Sequence, residues 1–183
     1  MTPKEFEIAL DRKIRQLNIA ELIYPVATKV RDDMQQRIFE RGIDGSGKKI
    51  GVYSTKPAYF TRKQFKKTGA FKPRGKNSNK ATFKNKNPRK SMYIAQGYKG
   101  LKAVQGYRSD YVNFSYSNQL RNQFGTRLAT EKNLVVLKLD AINANKTQWM
   151  EDKYGKHSFK HTEAEKDFFA FEVTKKLINY LGA

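Results

Sequence analysis

Leu22-Ile23-Tyr24-Pro25-Val26-Ala27-Thr28-Lys29-Val30-Arg31-Asp32-Asp33-Met34-Gln35-Gln36-Arg37-Ile38-Phe39-Glu40-Arg41-Gly42 is the stretch on which the fold turns. Leu22, Val26, Val30, Met34 and Ile38 recur every four residues, which lays them along one face of an α-helix. Gly42 suits the left-handed backbone that ends a helix. Towards the N-terminus, Phe6, Leu10, Ile14 and Leu17 keep the helical spacing. Thr2-Pro3-Lys4-Glu5 reads as the start, with Thr2 as cap, Pro3 at the first position and Glu5 completing a capping box. Asn18 and Pro25 leave open one kinked helix or two. The stripe predicts core packing; a helix that also packs on another subunit is the sharper alternative.

Outward from this stretch the charge changes abruptly. Gly45 to Ser109 holds 18 of the 37 Lys/Arg and none of the 17 Asp/Glu, so the remainder is close to neutral. A block of like charge repels itself and calls for a polyanion or an acidic neighbour. At 183 residues the chain fits a single domain, 1–183. Only 38% of residues are apolar, a modest core that 12 Phe and 10 Tyr compensate. With no cysteine, disulfides, thiolate catalysis and Cys-ligated metals are excluded. The first residues lack an apolar signal segment, and no apolar run nears the ~20 residues of a membrane span. The expectation is a soluble protein made in a reducing cytoplasm.

Gly42 to Ser54 places Gly42, Gly47 and Lys48 at phosphate-loop spacing. Lys49 stands where such a loop needs Ser or Thr, a helix precedes it, and a strand-like run follows, so a turn is the better account. Residues 61–90 carry 12 Lys/Arg with Phe65, Phe71 and Phe83 between them and no sustained period. They predict a basic insertion, an extended hairpin or a loop poorly ordered in the isolated subunit, whose aromatics could stack bases. Gly97 to Gly106 predicts a short helix between glycines. Tyr111 to Ser117 alternates, with Val112, Phe114 and Tyr116 opposite Asn113 and Ser115, and predicts a half-buried strand. Asn118 to Gly125 reads as a polar turn anchored by Leu120 and Phe124, and Asn133 to Asp140 as a second strand. Ala141 to Tyr154 predicts a helix anchored by Trp149 and ended by Gly155. Thr162-Glu163-Ala164-Glu165 is a second capping box. Behind it Phe168, Phe171, Lys175 and Ile178 share one face, and Phe169, Val173, Leu177 and Leu181 the next. The class is α+β: a long N-terminal amphipathic helix, a small antiparallel sheet with a long basic insertion, and a C-terminal helix.

Catalytic constellations are weak. His157 and His161, with Glu163 or Glu165, have zinc-like spacing, but lysines flank both and the segment reads as a loop. Asp44 and Asp110 are the acids bracketing the basic window, too few for a magnesium nuclease. No catalytic residue, metal or cofactor is expected.

Two segments carry a resemblance. The first is Ile50-Gly51-Val52-Tyr53-Ser54-Thr55-Lys56-Pro57. The second runs from Ser91-Met92-Tyr93-Ile94 through Gly97-Tyr98-Lys99 and Gln105-Gly106-Tyr107-Arg108 to Ser117-Asn118-Gln119-Leu120-Arg121. Together they resemble the tail-completion, or virion-morphogenesis, proteins of long-tailed bacteriophages, in the form found in phages of Bacteroidetes-type hosts. Trp149 to Gly155, Phe159 and the Thr162 box are similar to that family's C-terminal part. The family often has a small residue, commonly Gly, where Asn118 stands, and Asn also tolerates left-handed backbone. The resemblance implies a non-enzymatic virion protein of the neck, made in the host cytoplasm. Its copies, six being expected, form a ring between the head-side connector or portal and the tail terminator or tail tube. Packaged double-stranded DNA passes through, and no membrane is involved. Arg62, Lys63, Lys66, Lys67, Lys72, Arg74, Lys76, Lys80, Lys84, Lys86, Arg89 and Lys90 would contact DNA or a neighbour. Tyr53, Ser54, Lys56, Pro57, Tyr93, Gly97, Tyr98, Gln105, Gly106, Leu120 and Gly155 are the motif positions. The alternative is a nucleic-acid-binding accessory protein without sequence preference.

Overall fold

The computed structural model describes residues 2–72, 91–115, 119–129, 134–139, 141–155 and 157–182. Two helices open the chain, α1 (Pro3–Gln16) and α2 (Ile19–Gln35). The break falls at Leu17–Asn18: Leu17 is extended, and the Asn18 side chain accepts from Glu21 N–H to cap α2. Pro25 sits inside α2. Both halves of the Thr2–Glu5 capping box form. A π-helical segment, Gln36–Arg41, continues α2 and turns Arg37, Ile38 and Phe39 inward together, before Gly42 at φ 64° reverses the chain.

Strand β1 (Ala58–Thr61) pairs antiparallel with β2 (Ser91–Ile94), Thr61 opposite Ser91. The short helix α3 (Gly97–Val104) follows. Next come a four-residue helix, α4 (Gln119–Asn122), and a hairpin of β3 (Phe124–Ala129) and β4 (Leu134–Leu139), with Phe124 opposite Leu139. Helix α5 (Ala141–Tyr154) and helix α6 (Glu163–Gly182) end the chain. The class is α+β, with two separate two-stranded antiparallel sheets among the described residues.

Three expectations need correction. Residues 111–115 form no strand, because Phe114 takes φ 49° and Asn113 turns its amide into the core instead of towards solvent. The partner of β4 is β3, which begins inside the stretch read as a polar turn; the connection between these strands is short, so the pairing is a local hairpin. Residues 50–57, the strand-like run after the Gly42 turn, are irregular. Tyr116, Ser117 and Asn118 lie outside the described residues.

Two clusters make the core. Val30, Met34, Ile38 and Phe39 meet Ile50, Tyr53, Val112, Leu120 and Phe124 in the larger one. Phe60, Phe65, Ile94 and Leu101 form the smaller one around the β1–β2 stem, and Tyr98 packs against both. The stripe of α2 is thus core, whereas α1 buries no residue and leaves Phe6 and Ile14 exposed. Likewise Phe169 of α6 packs against the larger cluster, while Phe171 and Ile178 on the neighbouring face stay 65% and 64% exposed. No described helix is long and apolar enough to cross a membrane.

Candidate functional site

The two halves of the motif meet. Ser54 C=O accepts from Lys99 N–H at 3.1 Å, and Lys56 N–H donates to Ser54 Oγ at 3.3 Å. Gly97, at φ 53°, lies so close to the Lys56 backbone that a Cβ there would collide with its carbonyl. Backbone thus holds Tyr53-Ser54-Thr55-Lys56-Pro57 against the start of α3. Tyr53 and Tyr98, one from each half, pack with ring centroids 5.4 Å apart.

Below Tyr53 lies a cation. Tyr98, Leu101 and Lys102 share one face of α3, which Gln105 continues at the helix's C-terminal cap, and that face is turned inward. Lys102 is fully buried. Its Nζ donates to Tyr53 OH at 2.7 Å, Asn113 Oδ1 at 3.0 Å and Ser115 C=O at 3.1 Å, and stands 4.3 Å from the Tyr53 ring centroid. All three acceptors are neutral, so hydrogen bonds and not a carboxylate partner hold the charge. Burial pushes the Lys102 ammonium down to about 8, against the more distant attraction of Asp110. Burial likewise pushes the Tyr53 hydroxyl up to about 12. Tyr53 OH donates to Asn113 Oδ1 and accepts from Asn113 N–H, so it ties residues 111–115 to the motif.

Gln105 joins the motif to the basic segment. Its side-chain carbonyl accepts from the N–H groups of Lys66 and Lys67 at 2.7 and 3.2 Å, and its amide donates to Leu101 C=O. Gly106, at φ 70°, follows it. The beginning of the segment is therefore seated: Arg62–Gln64 and Thr68–Ala70 are 3₁₀ turns, and Phe65 packs edge-on against Phe71 at 5.1 Å. Phe65 is buried and Phe71 half-buried, so these rings serve the smaller core cluster and not base stacking. Around them Arg62, Lys63, Lys66, Lys67 and Lys72 are exposed. Arg74, Lys76, Lys80, Phe83, Lys84, Lys86, Arg89 and Lys90 lie outside the described residues.

The other motif positions are spread over the fold. Leu120 is buried in the larger cluster, and Gly155 at φ 111° ends α5, its N–H donating to Glu151 C=O. Tyr93 is half-exposed on the β1–β2 stem, 5.0 Å from its cross-strand partner Tyr59. Pro57 is exposed beside the start of β1. Trp149 does not anchor α5. It is 57% exposed, while Met150 and Tyr154 pack against the core in its place. Tyr53, Ser54, Tyr98, Phe114, Trp149 and Tyr154 line an open cleft of about 280 Å³, with Lys153 Nζ at its rim, 4.9 Å from the Trp149 ring and 5.3 Å from that of Tyr154.

Three of the carboxylates weighed for metal chemistry, Glu165, Glu163 and Asp44, are spent on structure. Glu165 is buried in a two-pronged pair with Arg37 at 2.7 and 3.2 Å, and Glu163 pairs with Lys166. Asp44 accepts from Ser46 N–H, Ser46 Oγ and Lys48 N–H; although burial opposes it, these bonds hold its carboxyl below the ordinary range. The glycine-rich turn is thus closed by Asp44, as a turn requires. Among the described residues no three His, Cys, Asp or Glu side chains stand together.

Sequence reasoning missed Lys102, Asn113, Arg37 and the Arg37–Glu165 pair. For Lys102 a signal existed, since it stands four residues after Tyr98 and next to Leu101 on the stripe ending at Gln105. For Arg37 there was none, because the widened π turn that brings it inward is not written in the spacing. No protein-family model, curated protein or solved structure matches this chain.

Proposed function

We propose that this chain is a structural protein of the phage neck, a tail-completion or head–tail joining protein. Its copies, six in our reading, form a ring between the head-side connector and the tail tube through which DNA passes. The observation that carries this reading is the seating of the basic segment. Thr61 and Ser91 are cross-strand partners, so both ends of the acid-free stretch 62–90 leave the body at one place. Gln105 clamps the first of its backbone, and the exposed cations Arg62, Lys63, Lys66, Lys67 and Lys72 surround that point. A ring of such bodies presents a ring of cationic segments, suited to a phosphate backbone without sequence readout or to an acidic neighbouring ring. The motif residues supply a rigid joint beside that point.

Electron microscopy of particles made with this gene silenced is the test. The expected result is DNA-filled heads and finished tails lying separate. Joined, infectious virions would overturn the reading and leave the alternative, a nucleic-acid-binding accessory protein.

A further inference from the structure

Lys102 and Asn113 bring a primary amine and a side-chain amide together inside the fold. Lys102 is fully buried and Asn113 almost so. Lys102 Nζ stands 3.0 Å from Asn113 Oδ1, so the amide carbon bonded to that oxygen lies beside the amine. Only a neutral amine is a nucleophile. Burial favours that form and brings the ammonium down to about 8, although Asp110 attracts the charge from farther off.

The amide oxygen is held by two further donors. Tyr53 OH donates to Asn113 Oδ1 at 3.0 Å, and Ser115 N–H at 3.2 Å. When an amine attacks an amide carbon, negative charge develops on this oxygen, and fixed donors aimed at it stabilise that charge. Tyr53 OH also accepts from Lys102 Nζ at 2.7 Å. One hydroxyl therefore touches both the atom that must lose a proton and the amide that must gain one. The pair is also held in place. Asn113 N–H donates to Tyr53 OH, and the next residue, Phe114, keeps φ 49°, a backbone that a bulky residue retains only where its surroundings over-determine it. Groups fixed in this way react as if at very high concentration.

We propose that Lys102 and Asn113 close an isopeptide bond within the chain, with Tyr53 as the catalytic residue. Nζ attacks Cγ of Asn113, and Tyr53 OH and Ser115 N–H receive the oxyanion on Oδ1. The Nζ–Cγ bond forms and the Cγ–Nδ2 bond breaks. One proton passes from Nζ by way of the Tyr53 hydroxyl to the amide, whose nitrogen leaves as ammonia. Nothing is oxidised or reduced, and no other reactant enters. The product is a covalent strut between α3 and residues 111–115 where the unlinked chain has hydrogen bonds. Lys102 titrates only while the pair is unlinked. Both residues belong to one chain, so the bond is independent of the neck reading.

The test is the mass of the full chain incubated above pH 8, where the folded amine is free, with a parallel sample unfolded in urea. The folded sample is expected to lose the mass of one ammonia and the urea sample none. Trypsin should then fail to cut after Lys102 and release residues 100–108 joined to 109–121, with fragmentation placing the junction at Asn113 and not at Asn118. Lys102→Arg should keep its full mass. Tyr53→Phe, checked for native circular dichroism, should link about 100-fold more slowly, the loss expected for one oxyanion donor. Folded wild type that keeps its full mass would overturn the proposal. So would ammonia loss with Lys102 still cut, which is an asparagine cyclising on its own backbone. Linkage as fast in urea, or Tyr53→Phe linking at the wild-type rate, would overturn it as well.

Discussion

Lys102 is the residue whose setting has the clearest measurable consequence. The unfolded chain keeps that proton up to about 10.5, while the folded protein releases it near 8. Between those values the unfolded state binds more protons, so this group makes stability rise with pH. Tyr53 acts oppositely, but only above its unfolded value of 10.0, where the unfolded chain loses a phenolic proton that the folded one keeps to about 12. From pH 8 to 10 the Lys102 contribution therefore stands clear, at about 2 kcal/mol. Urea unfolding at the two pH values should show that gain in wild type relative to Lys102→Met; parallel behaviour of the two proteins would refute it. Gly97 gives a second prediction. Alanine there combines a disfavoured positive φ with a collision against Lys56 C=O, so Gly97→Ala should destabilise by about 2 kcal/mol or more.

At the scale of elements, buried polar joints hold the pieces together. Arg37 bridges the π segment, Ile43 C=O, Lys160 C=O and Glu165 at the start of α6. Removing it strands a buried carboxylate, so Arg37→Met should cost about 3–5 kcal/mol in urea unfolding. Gln105→Leu leaves two backbone N–H groups without their acceptor and should cost about 1–3 kcal/mol. It should also speed tryptic cleavage after Lys66 and Lys67, and unchanged cleavage would show that the clamp does not hold the segment. Elements defined by local rules were legible. Both capping boxes, the Gly42 and Gly155 stops and the Ala141–Tyr154 helix depend on residues within one turn. The strands were less so. Alternation at 111–117 describes an extended chain, but whether it joins a ladder depends on distant partners, and here Lys102 and Tyr53 claim Asn113 instead.

For the whole molecule, charge is the governing property. The basic segment meets the body at one stem ringed by exposed cations, so double-stranded DNA should bind with strong salt dependence. Replacing Arg62, Lys63, Lys66 and Lys67 together by alanine should weaken binding to all sequences alike. It should also lower the logarithmic salt slope by roughly 0.9 for each phosphate that is no longer neutralised. An unchanged slope would direct these cations to an acidic protein neighbour.

The sequence by itself determined the class, the capping boxes that start α1 and α6, the stops at Gly42 and Gly155, the core face of α2 and the confinement of charge to one window. Those properties follow from spacing and composition, which are local or additive. Only the tertiary structure decided that the motif halves touch through Ser54 and Lys99, and that Phe65 and Phe71 belong to a core. It also decided that one lysine of the cationic window is a buried strut. A lysine's charge is the same in sequence wherever it stands; whether water or three neutral acceptors surround it depends on segments brought together only by folding.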